Sequence, residues 1–296
     1  MIDLLLSPQL LFSALVLGST YALVALGLNL VYGTMRLLNI AHGDLIMVGA
    51  YGAFWFFTLS GLSPVIGLPL IALICAALGL TLYYCIFRHQ LENVRPIERV
   101  EANSLLLFFA ISVIVQNVAS LAFSGSPRAY RHLDTVYHVV GVSMTGDRIV
   151  VLLVAVILLC GVVLFLNRSH YGLSISALIQ NQTAAKIVGI NVSRIQLLSF
   201  TIGFALAGVA GALISMTEQI SPFMGFPFTI VAFVVIILGG LGNIKGGIAA
   251  GLLLGFVEIY VVVLTSANFR SILIYGLFVG VLLLRPQGLF GKTRAA

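Results

Sequence analysis

The chain has 296 residues, of which 60% are hydrophobic and only 8% charged, where an ordinary soluble domain carries about 25% charged residues. So small a charged shell cannot keep this much apolar sequence in water, which excludes a soluble globular class and makes lipid the main solvent. The net charge of +6 does not indicate nucleic acid, because the basic residues mark the ends of apolar runs and form no stripe interleaved with aromatics.

A spanning helix needs about 20 largely apolar residues. In chain order this predicts spans at Leu10 to Tyr32, Leu45 to Leu59, Val65 to Phe87, Asn103 to Phe123, Ile149 to Leu166 and Leu197 to Thr217. Ile230 to Leu238 is too short to cross alone, and Ile248 to Leu264 and Ile272 to Leu284 follow as further spans. Met1-Ile2-Asp3 lacks the positive start of a cleavable signal, so the first span is expected to stay in the protein. The fold class expected is an all-α, polytopic membrane bundle of about 8–9 transmembrane helices, some discontinuous. It forms a single transmembrane domain over residues 1–296. Cys75, Cys85 and Cys160 lie inside apolar runs with no Cys-x-x-Cys pair and read as packing residues. Trp55 and the Phe-rich run around it read the same way, as lipid or interface packing.

Placing Arg88 to Ala102 in the cytoplasm and alternating outward puts 11 of the 15 basic residues inside, with Arg128, Arg131, Arg148 and Arg270 outside. That bias obeys the positive-inside preference and predicts a cytoplasmic C-terminus and an external N-terminus. Two polar segments are longer than turns. The outer one, at 124–147, carries Val136, Val139, Val140 and Val142 and is read as a small cap. The inner one, at 167–196, contains a helix from Leu173 to Lys186 that Gly189 stops.

Lipid cannot satisfy backbone polar groups, so irregular backbone at membrane depth must be buried in protein or line a wet cavity. Two segments qualify, Tyr32 to Asp44 and the glycine cluster Gly239 to Gly247. They share the fragments Asn39-Ile40-Ala41-His42-Gly43 and Asn243-Ile244-Lys245-Gly246 in corresponding halves of the chain. Broken helices so placed are where internally repeated transporters hold their pathway, and this puts Asn39, His42 and Asn243 along it. Glu258, an ionisable residue in mid-span, is the fourth pathway candidate, with an interhelical hydrogen bond as its equal alternative. Asp44 reads as a helix cap at least as readily as a substrate contact, and Glu218 as a solvated span end. Small residues recur every fourth position: Ala14, Gly18 and Ala22; Ala207 and Gly211; Gly247, Gly251 and Gly255; Gly276 and Gly280. Such faces allow close helix packing within the bundle or against another subunit. Gly288 to Thr293 ends like a phosphate-binding loop, but Pro286 stands where the motif requires glycine, so no ATP site is read.

Taken together, Gly27-Leu28-Asn29-Leu30-Val31-Tyr32-Gly33, Leu38-Asn39-Ile40-Ala41-His42-Gly43-Asp44, Gly49-Ala50-Tyr51, the Gly239 to Gly247 cluster and Arg285-Pro286-Gln287-Gly288-Leu289-Phe290-Gly291 resemble the permeases of branched-chain amino acid ABC importers. The resemblance implies a transport subunit, not an enzyme, in a bacterial or archaeal inner (plasma) membrane, with no cofactor or metal of its own and no nucleic-acid partner. The partners implied are a second permease subunit, identical or related, two cytoplasmic ABC ATPases, an extracytoplasmic substrate-binding protein and membrane lipid. It also makes the inner helix a coupling helix. Gln180, Asn181, Ala184, Ala185 and Gly189 match or flank that motif, while Thr183 replaces its usual glutamate. The cargo implied is a branched-chain or other hydrophobic amino acid; urea or short amides, carried by relatives, are the alternative. Two other classes remain in view. An ion-coupled secondary carrier would use Glu258, and an intramembrane enzyme would rest on His42 with Asp44 alone.

Overall fold

The computed structural model describes residues 7–89, 97–139, 142–285 and 288–289. Val140 and, among the residues used for orientation, Arg95, Lys292 and Arg294 lie outside them. The described elements are α1 (Pro8–Met35), α2 (His42–Ser60), α3 (Pro64–Leu82) running into a π-helical turn (Tyr83–Phe87), α4 (Ile97–Phe123), β1 (Val136–Val139), β2 (Val142–Thr145), α5 (Gly146–Arg168), α6 (His170–Gln180), α7 (Gln182–Ile187), α8 (Val192–Ile214), α9 (Gly225–Gly239), α10 (Ile244–Leu264) and α11 (Phe269–Leu284). Among the described residues, seven helices are long and apolar enough to cross a membrane, and α9 and α11 are apolar but shorter. The chain is therefore an all-α, multi-pass membrane protein, with the half-length run near Leu238 appearing as the 15-residue α9.

Contacts between distant segments define the two ends of the bundle. At one end the Gln9 amide donates to Ser143 O and accepts from Ser143 N, both at 2.9 Å. There too His132 bonds Ser63 at 3.0 Å, and Arg128 and Ile220 exchange backbone hydrogen bonds. Burial pushes the Tyr130 hydroxyl up to about 12 while Ser215 hydrogen-bonds it at 2.9 Å. At the other end Tyr32 donates to Glu101, Tyr83 to Ser193 O and Gln196 to Thr34 O. The first group lies on the side expected to be external and the second on the side expected to be cytoplasmic. The outer cap is an antiparallel hairpin pairing Val136 with Thr145 and Val139 with Val142.

Helix α1 is the hub. Pro8 sits at its first turn with Ser7 as N-cap, and from Gly18 to Met35 every residue is buried, so the helix is enclosed on all sides. Its small face meets that of α10. A Cβ on Gly251 would stand 2.6 Å from the Cα and N of Ala22, and one on Gly255 would strike the Gly18 backbone. Gly211 of α8 makes the same kind of approach to the Ile46 carbonyl of α2. Three of the four small-residue sets thus pack inside the chain; Gly276 and Gly280 of α11 face open space. On the outside, Leu106, Ile114, Leu121, Ile157 and Leu164 of α4 and α5 are exposed, which suits hydrocarbon and not water. Cys85 and Cys160 are exposed as well. Only Cys75 is the buried packing residue expected of all three; the others point away from the core because their helices present a single face to it.

Candidate functional site

The first broken segment begins where α1 ends. Arg36 takes a left-handed conformation (φ 56°) that breaks the helix, and its guanidinium lies over the Tyr32 ring. The chain then runs irregularly to α2, with Leu38 N donating to the Ser104 hydroxyl. Asn39 is fully buried, and neither atom of its side-chain amide has a hydrogen-bond partner among the described residues. His42 is also fully buried. Its Nε2 lies 2.9 Å from Val24 O, a carbonyl that can only accept, so the proton sits on Nε2 and Nδ1 is left as an unpartnered acceptor. Thr229 of α9 clamps this turn, accepting from Gly43 N at 2.9 Å and donating to Ile40 O at 3.1 Å. Asp44 does not cap α2. Its carboxylate accepts from Gln116 of α4 at 2.9 Å, because Ala41 holds the cap position and Asp44 falls inside the first turn facing α4.

The second broken segment joins α9 to α10. Gly242 adopts a positive φ of 81°, which a side chain would resist. Asn243 is the N-cap of α10, its side-chain oxygen accepting from Gly246 N at 3.0 Å. The sequence likeness of the two segments therefore does not carry into side-chain roles: Asn243 caps, whereas Asn39 stands three residues before its helix and is unpaired. What holds the second segment is Asn29, in the C-terminal third of α1. Its side-chain oxygen accepts from Gly242 N at 2.9 Å and its NH2 donates to Asn243 O at 3.0 Å. Asn29 lies within the Gly27 to Gly33 run, and the sequence alone assigns it no role. The available signal was an amide alone in an apolar span, which must find a polar partner.

Glu258 lies toward the outer end of α10, 2% exposed, in an ion pair with the Arg270 side chain of α11. Tyr21 of α1 donates to its other oxygen at 2.9 Å and accepts from Arg270 at 2.9 Å. The three residues close on one another, so the interhelical bond expected as the alternative for Glu258 is present. Glu218 is exposed, just beyond the end of α8.

The inner helix is two helices. Asn181 is extended (φ −158°, ψ 108°), ends α6, and caps α7 through a bond from Ala184 N at 3.0 Å. The single helix expected from Leu173 to Lys186 is corrected accordingly: an asparagine that can accept a backbone N–H three residues on favours a new start over continuation. Gln180, Asn181 and Ala184 are exposed, whereas Ala185 is buried against the bundle. Gly189 has φ 86°, the turn back toward α8. Beside it Ile187 and Val188 are 81% and 74% exposed, at the end expected to be cytoplasmic.

The family described as "Branched-chain amino acid transport system / permease component" matches residues 10–282. The chain is 34% identical to the high-affinity branched-chain amino acid transport system permease protein BraD of Pseudomonas aeruginosa, over 96% of this chain and 95% of that protein. It is 30% identical to the corresponding permease protein LivH of Salmonella typhimurium, again over 96% and 95%. The permease protein LivM of the same organism is also 30% identical, over 93% of this chain and 68% of its own length. No solved structure matches. The chain belongs to the permease family of branched-chain amino acid transport systems.

Proposed function

We propose that this chain is the inner-membrane permease subunit of a binding-protein-dependent ABC importer that moves branched-chain or other hydrophobic amino acids into the cytoplasm. The observation that carries the reading is similarity along nearly the whole chain to permeases named for that transport. ATP hydrolysis belongs to two partner ATPases, cargo delivery to an extracytoplasmic binding protein, and the pathway is shared with a second permease, a pairing suggested by likeness to both LivH and LivM proteins. The α6–α7 turn is the coupling element. Two large apolar side chains, Ile187 and Val188, stand exposed beyond the bundle end and suit a groove on an ATPase.

Asn39, His42, Asn243 and Glu258 are the proposed polar residues of the pathway. The unpaired amide of Asn39 and the unpaired Nδ1 of His42 support this, since an orphaned buried group is explained by a water, a ligand or a second conformation that partners it. Reconstitution of the assembled transporter in proteoliposomes tests the function. Uptake of labelled leucine that requires internal or external ATP on the ATPase side is expected; uptake by this chain alone, driven by an ion gradient, or uptake of urea in preference to leucine, refutes it. Alanine replacement of Asn39, His42 and Asn243 with assembly controlled tests the pathway, and unchanged uptake in all three rejects it.

A further inference from the structure

Toward the outer end of α2, Tyr51 and Trp55 occupy one face four residues apart. Phe123, the last residue of α4, stacks on Tyr51 with ring centroids 4.4 Å apart and tilts against Trp55 at 5.9 Å. The loop that follows returns Arg128 over this face, its guanidinium carbon 5.5 Å from the Trp55 ring centroid and 5.6 Å from that of Phe54. Tyr130 closes the other side against Phe54 and Phe57. The aromatic wall is apolar, but its donors are not used up. The Tyr51 hydroxyl and the Trp55 indole N–H are both buried without a hydrogen-bond partner, although Tyr51 is only 2% exposed. Arg128 donates to Phe123 O at 2.8 Å and, among the described residues, pairs with no carboxylate.

A guanidinium, a phenol and an indole N–H share one aromatic cluster with more donors than acceptors. The group that would satisfy them is a planar anion with several lone pairs, and the aromatic walls require that it carry an apolar body. We infer that Tyr51, Trp55 and Arg128 form a binding subsite at the extracytoplasmic mouth for a small apolar carboxylate, the α-carboxylate of the incoming amino acid. Resting on the proposal of amino-acid import, this identifies which end of the substrate the permease reads first, with Phe54, Phe57 and Tyr130 available to its side chain.

Trp55 is the chain's single tryptophan, so tryptophan fluorescence reports the surroundings of this subsite. The full chain in lipid nanodiscs is titrated with L-leucine, isovalerate, L-leucinamide and isoamylamine. Saturable changes are expected with the two carboxylates and none with the amide or the amine. Tyr51→Phe removes only an unpartnered hydroxyl and should weaken the response about tenfold, the size of a lost bond to a charged group. Arg128→Gln should abolish it, and Arg128→Lys should restore part. Equilibrium dialysis with labelled isovalerate covers the case of a silent fluorophore. An equal response to leucinamide, an unweakened Tyr51→Phe, or no saturable binding by either method overturns the subsite. Leucine uptake by the assembled transporter separates the two readings: uptake with an unmoved KM in Tyr51→Phe keeps import and rejects the subsite, while isovalerate binding without any amino-acid uptake does the reverse.

Discussion

Replacing Asn29 by leucine removes a side chain that ties the C-terminal third of α1 to the α9–α10 break. Two hydrogen bonds are lost, from Gly242 N and to Asn243 O. Interhelical hydrogen bonds in membranes average about 0.6 kcal/mol each, whereas a backbone group left buried and unpaired costs about 1–3 kcal/mol. Gly242 and Asn243 are only half-buried, near the end expected to be cytoplasmic, so water recovers part of the loss. Asn29 itself is 1% exposed, however, and leucine at that position does not restore either bond. The expected destabilisation is about 1–3 kcal/mol, between those limits. Equilibrium unfolding in SDS mixed micelles reads it. Asn29→Asp is the informative partner: ionised, it keeps the acceptor for Gly242 N and loses the donor to Asn243 O, whereas protonated its O–H can donate to Asn243 O, so its loss should shrink as the pH is lowered. The same variants should reduce uptake more than they reduce assembly, since the break is where α9 and α10 meet. An Asn29→Leu protein as stable as the parent, or with unaltered transport, would show that the break is held by the glycine packing alone.

The Glu258–Arg270 pair should respond asymmetrically. Arg270→Ala leaves a carboxylate that is 2% exposed without its cation and should cost about 3–5 kcal/mol, whereas Glu258→Gln frees an arginine that is 41% exposed and should cost clearly less; the order is read by the same unfolding assay. Gly251→Val should destabilise by about 1–3 kcal/mol or more through overpacking against Ala22, while Gly276→Val, which meets open space, should leave the stability of the isolated chain unchanged. Ile187→Glu with Val188→Glu should leave the permease folded yet prevent co-purification with its ATPase partner; retained co-purification removes α7 from the coupling role.

The spans were legible because their cause is local. A lipid core demands about 20 consecutive apolar residues, and runs such as Ile149 to Leu166 meet it with no help from the rest of the chain. The short run before Leu238 was recognised for the same reason. The bond network was not legible to the same degree. Asn29 finds its partners more than 200 residues away, and nothing near Asn29 indicates where they lie. Asn181 shows the limit at short range, since the same side chain can sit within a helix or start one, and only the tertiary position of the turn decides. The valines of 124–147 signalled a small cap but not its hairpin, and the tie from Ser143 to Gln9 of α1 depends on a contact across 134 positions. At the aromatic cluster, the Phe-rich run of α2 was visible; its unused donors were not, because Arg128 arrives from a different loop.

The enclosure of α1 has a consequence for synthesis. Every helix that covers it, α5, α8, α9 and α10 among them, follows it in chain order. A nascent chain that has reached only residue 243 must hold the Gly18 and Ala22 face against lipid tails instead of against α10. The helix tolerates this wait because it is largely apolar and its buried hydroxyls at Ser19, Thr20 and Thr34 bond its own carbonyls, whereas the amide of Asn29 has no glycine turn to bind until α9 is complete. Membrane insertion and native packing of α1 are thus separated in time by the translation of more than two hundred residues, an interval in which the chain depends on hydrophobicity alone.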